Sequence, residues 1–186
     1  ASTTPSARRN ATVSSTMSEP ILVAGVIGDS ITDGPGIRMT VFVQGCPHHC
    51  EGCHNPETHP FAGGEPCSAG ELLQKIDKNP LLSGVTLSGG EPFCQAAALL
   101  PLAEGVRARG LELAAYSGWT YEQLLEQGGD KAALLRLCHV LVDGPFVLAE
   151  RSLSLRFRGS KNQRILDVQR SLREGRAVLM QDGRWQ

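Results

Sequence analysis

Apolar positions along the chain gather into short runs, with segments of helical spacing between them. Val23 to Ile31 and Arg38 to Gln44 form two such runs around Asp33-Gly34-Pro35-Gly36, a turn signal. The second run, RMTVFVQ, is rich in β-formers and predicts a strand. From Gly45 to about Pro66 the pattern lapses into a loop rich in Pro and Gly. Ser68 followed by Glu71 makes a capping box and predicts a helix from there to about Asn79. GVTLS, residues 84–88, predicts a strand that Gly89 and Gly90 end. Residues 95–109 have helical spacing, and Pro101 predicts a restart, since proline fits a first turn better than a helix middle. LELAAYS (111–117) predicts another strand, Thr120 with Gln123 another capping box, Asp130 the cap of a further short helix, and VLVD (140–143) a strand. Beyond it, strand-like pieces lie near 153–158 and 177–180, with a helix near 168–174.

Strands alternating with helices imply right-handed βαβ units and a mostly parallel sheet, an α/β fold. A closed eight-unit barrel needs about 250 residues. The 186 residues here predict an open, partial (βα) barrel instead. Ligands of such sheets sit at the carboxyl ends of the strands. The loop after Gln44, the Gly89-Gly90 turn and Ser117-Gly118 each follow a predicted strand, so one rim should hold all three.

Composition narrows the classes. No apolar run approaches the ~18 residues of a membrane span, and no stretch near the start reads as a signal peptide. The expectation is a cytoplasmic chain whose six cysteines are thiols or ligands rather than disulfides. Half of residues 1–16 are Ser or Thr, without an acidic side chain; a disordered tail, or a start placed too early, is expected there. Residues 17–186 are expected to form a single domain with a basic C-terminal segment. Residues 1–150 carry 9 basic and 16 acidic side chains, net −7, and residues 151–186 carry 9 and 3, net +6. That segment suits an acidic partner. Direct nucleic-acid binding is not expected, because no aromatic residues interleave the charges for base stacking.

The loop GCPHHCEGCHNPETH, residues 45–59, holds three cysteines and four histidines. Cys46, Cys50 and Cys53 are spaced C-x3-C-x2-C, and Gly45, Pro47 and Gly52 let the backbone bend sharply around one inorganic centre. Zinc would take a fourth ligand from His48, His49, His54, His59 or Cys67, but zinc motifs usually bring their ligands in two separated pairs. An iron–sulfur cubane prefers thiolates, and three of them leave one iron open to a substrate. Cys94 and Cys138 read as buried small hydrophobes. The second signal is LSGGEP, residues 87–92, on the same predicted rim. Its glycines admit a ligand close to the backbone, and Glu91 offers a carboxylate to a cationic amine.

The two signals together resemble the radical S-adenosylmethionine (SAM) enzymes. The resemblance implies an open partial barrel of the radical SAM type, a [4Fe–4S] cluster on Cys46, Cys50 and Cys53, and SAM chelated to the fourth iron. It implies that Gly89, Gly90 and Glu91 contact the SAM amine, and that Gly52 and His54, flanking the third cysteine, lie against the nucleoside. Tyr116, Ser117 and Asp143 end strands on that rim, and Ser117 is carried as a cofactor-binding candidate. DGPGIR (33–38) is similar to the opening of activators of glycyl-radical enzymes. AAYSGWT (114–120), VLVDGPF (140–146) and RFRGSKNQRILD (156–167) resemble the small activators of anaerobic (class III) ribonucleotide reductase. The implied activity is reductive cleavage of SAM to a 5′-deoxyadenosyl radical, which takes a hydrogen atom from a glycine of the reductase large subunit. A flavodoxin- or ferredoxin-type electron donor is implied as second partner. No catalytic acid, base or nucleophile is expected in the chain, because the cofactors carry the chemistry.

Overall fold

Among the described residues, 18–186 of a computed structural model, strands and helices alternate as the pattern predicts. The expected tail at 1–16 lies outside the described residues. The strands are β1 (Ile21–Ser30), β2 (Arg38–Val43), β3 (Glu65–Cys67), β4 (Gly84–Gly89), β5 (Glu112–Tyr116), β6 (Val140–Asp143) and β7 (Arg164–Asp167). The helices are α1 (Ala69–Asp77), α2 (Ala96–Ala108), α3 (Tyr121–Gln127), α4 (Gly129–Leu137) and α5 (Val168–Glu174). One sheet runs in the order β3-β1-β2-β4-β5-β6-β7. Its four central strands, β2, β4, β5 and β6, are mutually parallel, and antiparallel strands finish both sides. The edge strands β3 and β7 do not pair, so the sheet is open.

The two capping boxes form as expected: Ser68 and Glu71 start α1, and Thr120 and Gln123 start α3, each side chain bonding the other residue's backbone N–H. The helices cover one face of the sheet. There Leu72, Leu99, Leu102, Val106, Leu124 and Leu134 meet Val41, Val85, Leu87, Leu113 and Leu141, all fully buried. The opposite face holds a smaller apolar floor of Ala114, Val140, Val142 and Trp185. Arg38, 1% exposed, lies above that floor, its guanidinium 5.4 Å from the Trp185 ring. It donates to Thr86 Oγ1, Glu112 Oε1 and the carbonyls of Pro35, Val85 and Glu112. The DGPGIR motif therefore bolts β2 to β4 and β5.

Three expectations change. α2 runs unbroken through Pro101. A mid-helix proline costs about 3 kcal/mol. Complete burial of Leu99, Leu102 and Val106 outweighs that at roughly 1.5–3 kcal/mol per side chain. Asp130 is not a cap; α4 is capped two residues earlier, at Gly128, whose positive φ of 64° turns the chain between two helices. Residues 153–158 form no strand, and 177–180 contribute only a single bridge, Leu166 to Leu179. The last strand is β7 instead, which pairs antiparallel with β6 from Asp143–Arg164 to Val140–Asp167. Arg164 fixes that register: it donates to both oxygens of buried Asp143 and to Glu122 on α3.

Candidate functional site

The parallel strands deliver their carboxyl ends to one cavity of about 500 Å³. Cys46, Cys50, Cys53 and His54 line it from the loop after β2, Gly89 and Gly90 from the end of β4, and Tyr116, Ser117 and Gly118 from the end of β5. The three cysteines, the glycine pair and Ser117 thus share one rim, as their positions after predicted strands required.

The cysteine loop is pinned on both sides. Gln44 Nε2 donates to the carbonyls of Glu57 and Pro60, and the N–H groups of Gly45 and Cys46 donate to Thr58 and His59. Burial pushes the Cys46 thiol up, against the pull of backbone N–H groups of His48 and His49. The N–H of Asn55 points at Cys53 Sγ, 3.4 Å away. Such N–H groups favour a thiolate or a sulfur that carries its charge. The thiols outside the loop differ. Cys67 does not line the cavity; it donates to Glu71. Cys138 is fully buried as expected, whereas Cys94 is only half-buried; desolvation chiefly pushes their thiols up, to about 12 and about 11.

The glycine pair has a structural reason beyond ligand access. A Cβ on Gly89 would strike the backbone of Phe42 and Val43, and one on Gly90 the backbone of Gly45. Gly90 and Glu91 donate their N–H groups to the carbonyls of Val43 and Gly45. The turn therefore packs backbone to backbone against the start of the cysteine loop.

Glu91 is placed differently from the expectation of a free carboxylate facing an amine. It is 1% exposed and is not part of the cavity lining. Its oxygens accept from His48 Nε2 at 2.7 Å, Ser117 Oγ at 3.0 Å, the N–H of Gly118 at 2.8 Å and the N–H of Phe93 at 3.1 Å. A carboxylate saturated by four donors positions other groups. Here it ties the cysteine loop, through His48, to the ends of β4 and β5. Ser117 shares its hydroxyl with this network while it lines the cavity.

Gly52 lies behind the rim, where Leu148 packs against it, and the His54 ring sits 5.3 Å from Phe146. Phe146, the last residue of the VLVDGPF motif, lines the cavity, a placement the sequence did not assign to it. RGSKNQ explains its position. Gln163 Oε1 accepts from Gly159 and Ser160, Gln163 Nε2 donates to Gly144, and Asn162 Nδ2 donates to Pro145. These bonds lash the segment after β6 over the third cysteine. Arg158 lines the cavity and staples the same turn through the carbonyls of Lys161 and Gln163. Asp143 does not reach the cavity: Arg164 and the N–H of Tyr121 hold it.

The 4Fe-4S single cluster domain family matches residues 32–166, which takes in all of these elements. The anaerobic ribonucleoside-triphosphate reductase-activating protein of Vibrio cholerae serotype O1 is 36% identical over 140 residues, covering 72% of this chain and 89% of that one. The chain belongs to the radical SAM activase family. A protein of the same name from Escherichia coli K12 is 35% identical over 141 residues, covering 72% and 90% of the two chains. The pyruvate formate-lyase-activating enzyme of Clostridium pasteurianum is 38% identical over 123 residues, 61% of this chain and 51% of that one. A radical SAM activase uses a [4Fe–4S] cluster and SAM, and the zinc alternative falls away. The residues present fit these groups: three thiols on one cavity, backbone N–H groups aimed at two of their sulfurs, and a buried His59 Nε2 in the same wall without a protein partner.

Proposed function

We propose that this radical SAM activase installs a glycyl radical on the large subunit of an anaerobic ribonucleotide reductase. In this reading Cys46, Cys50 and Cys53 hold the cluster. Gly89 and Gly90 present backbone to the amine of SAM, with Glu91 and Ser117 fixing the turn. His54 and Phe146 bound the nucleoside side, with Gly52 and Leu148 packed behind them. The observation that carries it is the convergence of the three cysteines and the glycine turn on one cavity at the strand ends. When bound, the cluster supplies one electron to the sulfonium of SAM and an open iron to hold it. This chain's own residues bind, orient and exclude water.

The open side of the sheet leaves a lateral path for a partner's glycine loop. Arg151, Arg156 and Lys161 are exposed and suit an acidic partner face. Arg158 is less suitable for that role, since its guanidinium holds the turn. The electron donor in this reading is a flavodoxin or ferredoxin. Residues 17–186 act as one functional unit, and the cytoplasm is the compartment, where thiols stay reduced. Among the described residues, no helix is long and apolar enough to cross a membrane.

Anaerobic incubation with SAM, a reductant and the reductase tests the proposal. The expected result is a glycyl-radical signal by electron paramagnetic resonance that Cys53→Ser abolishes. A protein that takes up one zinc and no iron, or an iron-loaded protein that cleaves SAM without radical transfer to the reductase, would overturn it.

A further inference from the structure

His59 lines the cavity with the three cysteines, and its backbone is fixed there. Its carbonyl accepts the N–H of Cys46 at 3.0 Å, its N–H donates to Pro56, and Gln44 clamps the residues on either side through Glu57 and Pro60. The ring meets His49 edge-on, with centroids 5.5 Å apart. Its Nε2 is buried and has no hydrogen-bond partner. Trp185 Nε1 is the other such side-chain atom among the described residues, and it sits in the apolar floor, outside the cavity lining. A buried ring nitrogen left without a partner costs about 1–3 kcal/mol, and in the tautomer that carries its proton on Nε2 it calls for an acceptor. Among the described residues, no protein oxygen answers His59.

We infer that His59 donates its Nε2–H to a sulfur of the cluster held by Cys46, Cys50 and Cys53, and so raises the cluster's reduction potential. The inference rests on the cluster assignment above. Adding an electron increases negative charge on the sulfurs, so a donor aimed at one of them favours the reduced state. Cys46 is backbone-paired with His59, and both line the cavity with the other two thiols. His59 is thus a positioning and tuning residue: it handles no proton and no substrate.

The test uses the iron-loaded full chain, wild type and His59→Phe, with His59→Gln as the variant that restores an N–H. Iron and sulfide are counted, and the potential is read by a redox titration followed by paramagnetic resonance. His59→Phe should keep a wild-type load of iron and sulfide. Its reduced-to-oxidised ratio at a fixed solution potential should fall about tenfold, the worth of one charge-assisted hydrogen bond, and His59→Gln should recover part of it. Electron–nuclear double resonance on the wild type, after exchange into D2O and with ¹⁵N-histidine, reads the contact independently of any variant's folding. A coupled exchangeable proton with weak ¹⁵N coupling is expected. A loaded cluster with unchanged potential, or without that proton, overturns the inference and leaves the cluster assignment standing. Strong ¹⁵N coupling from His59 overturns it in favour of direct ligation. A wild type that takes up no cluster overturns the assignment and the inference together.

Discussion

Replacing Arg38 by Met keeps the length of the side chain and removes its charge and donors. The guanidinium is 1% exposed and makes five hydrogen bonds, to Thr86, Glu112 and three carbonyls. Burial pulls its pKa down, and the Glu112 carboxylate opposes that pull. The native state therefore already carries a desolvation cost that Met would not. Against this relief stand the carbonyl of Pro35, which loses a donor, and Glu112, 20% exposed, which keeps only Arg184 at 3.5 Å. Breaking one side of a buried pair costs about 3–5 kcal/mol, and partial exposure of Glu112 puts the expectation at the lower end, about 3 kcal/mol. For a chain of this size each kcal/mol lowers Tm by roughly 2–4 °C, so a drop of about 10 °C is expected. Urea unfolding of the apoprotein under reducing conditions measures the free energy, and Arg38→Met with Glu112→Gln should recover part of the loss. Loss of less than about 1 kcal/mol, or a double variant no better than the single, would refute the view that Arg38 bolts β2 to its neighbours.

Gly90→Ala should cut both iron load and SAM affinity at least about tenfold, since its Cβ meets the backbone of Gly45 and must push the cysteine loop away; iron assay and equilibrium dialysis measure this, and wild-type values would refute the packing argument. His139 Nδ1 accepts the N–H of Leu113 at 2.9 Å, and burial, followed by Arg107, holds its pKa below the usual histidine value. The neutral form is the one folding favours, so its stabilisation is complete above about pH 6.5 and is lost as pH falls below that, toward the folded pKa. Urea midpoints at neutral and mildly acid pH should diverge less in His139→Gln than in wild type. In the apoprotein, Cys94 and Cys138 should resist thiol reagents until unfolding, whereas Cys50 and Cys53 react in the native state; labelling followed by mass spectrometry distinguishes them.

Local chemistry was legible wherever neighbours in sequence decide it. The capping boxes at Ser68 and Thr120, the strands before the cysteine loop and before Gly89, and the shared rim all follow from residues a few positions apart. What escaped depends on distant partners. Pro101 stays inside α2 because the sheet buries the helix face beneath it. β7 is a short strand made by Arg164 reaching Asp143 and Glu122, which lie 21 and 42 positions away. Residues 153–158 alternate like a strand, but side-chain bonds from Gln163 and Asn162 hold the adjoining turn as a loop. Glu91 was visible as a carboxylate next to two glycines; that His48, Ser117 and Gly118 would saturate it was not. Phe146 was visible as the end of the VLVDGPF motif, but its place over His54 was not, since only the fold brings the two together.

The contact of Gly89 and Gly90 with residues 42–45 has an implication for anyone wishing to transplant this centre. The thiol-bearing segment has no independent shape to carry away: main chain from a neighbouring βα unit forms part of its mould. A graft onto a foreign scaffold would need both strand ends as a matched pair, at their native spacing.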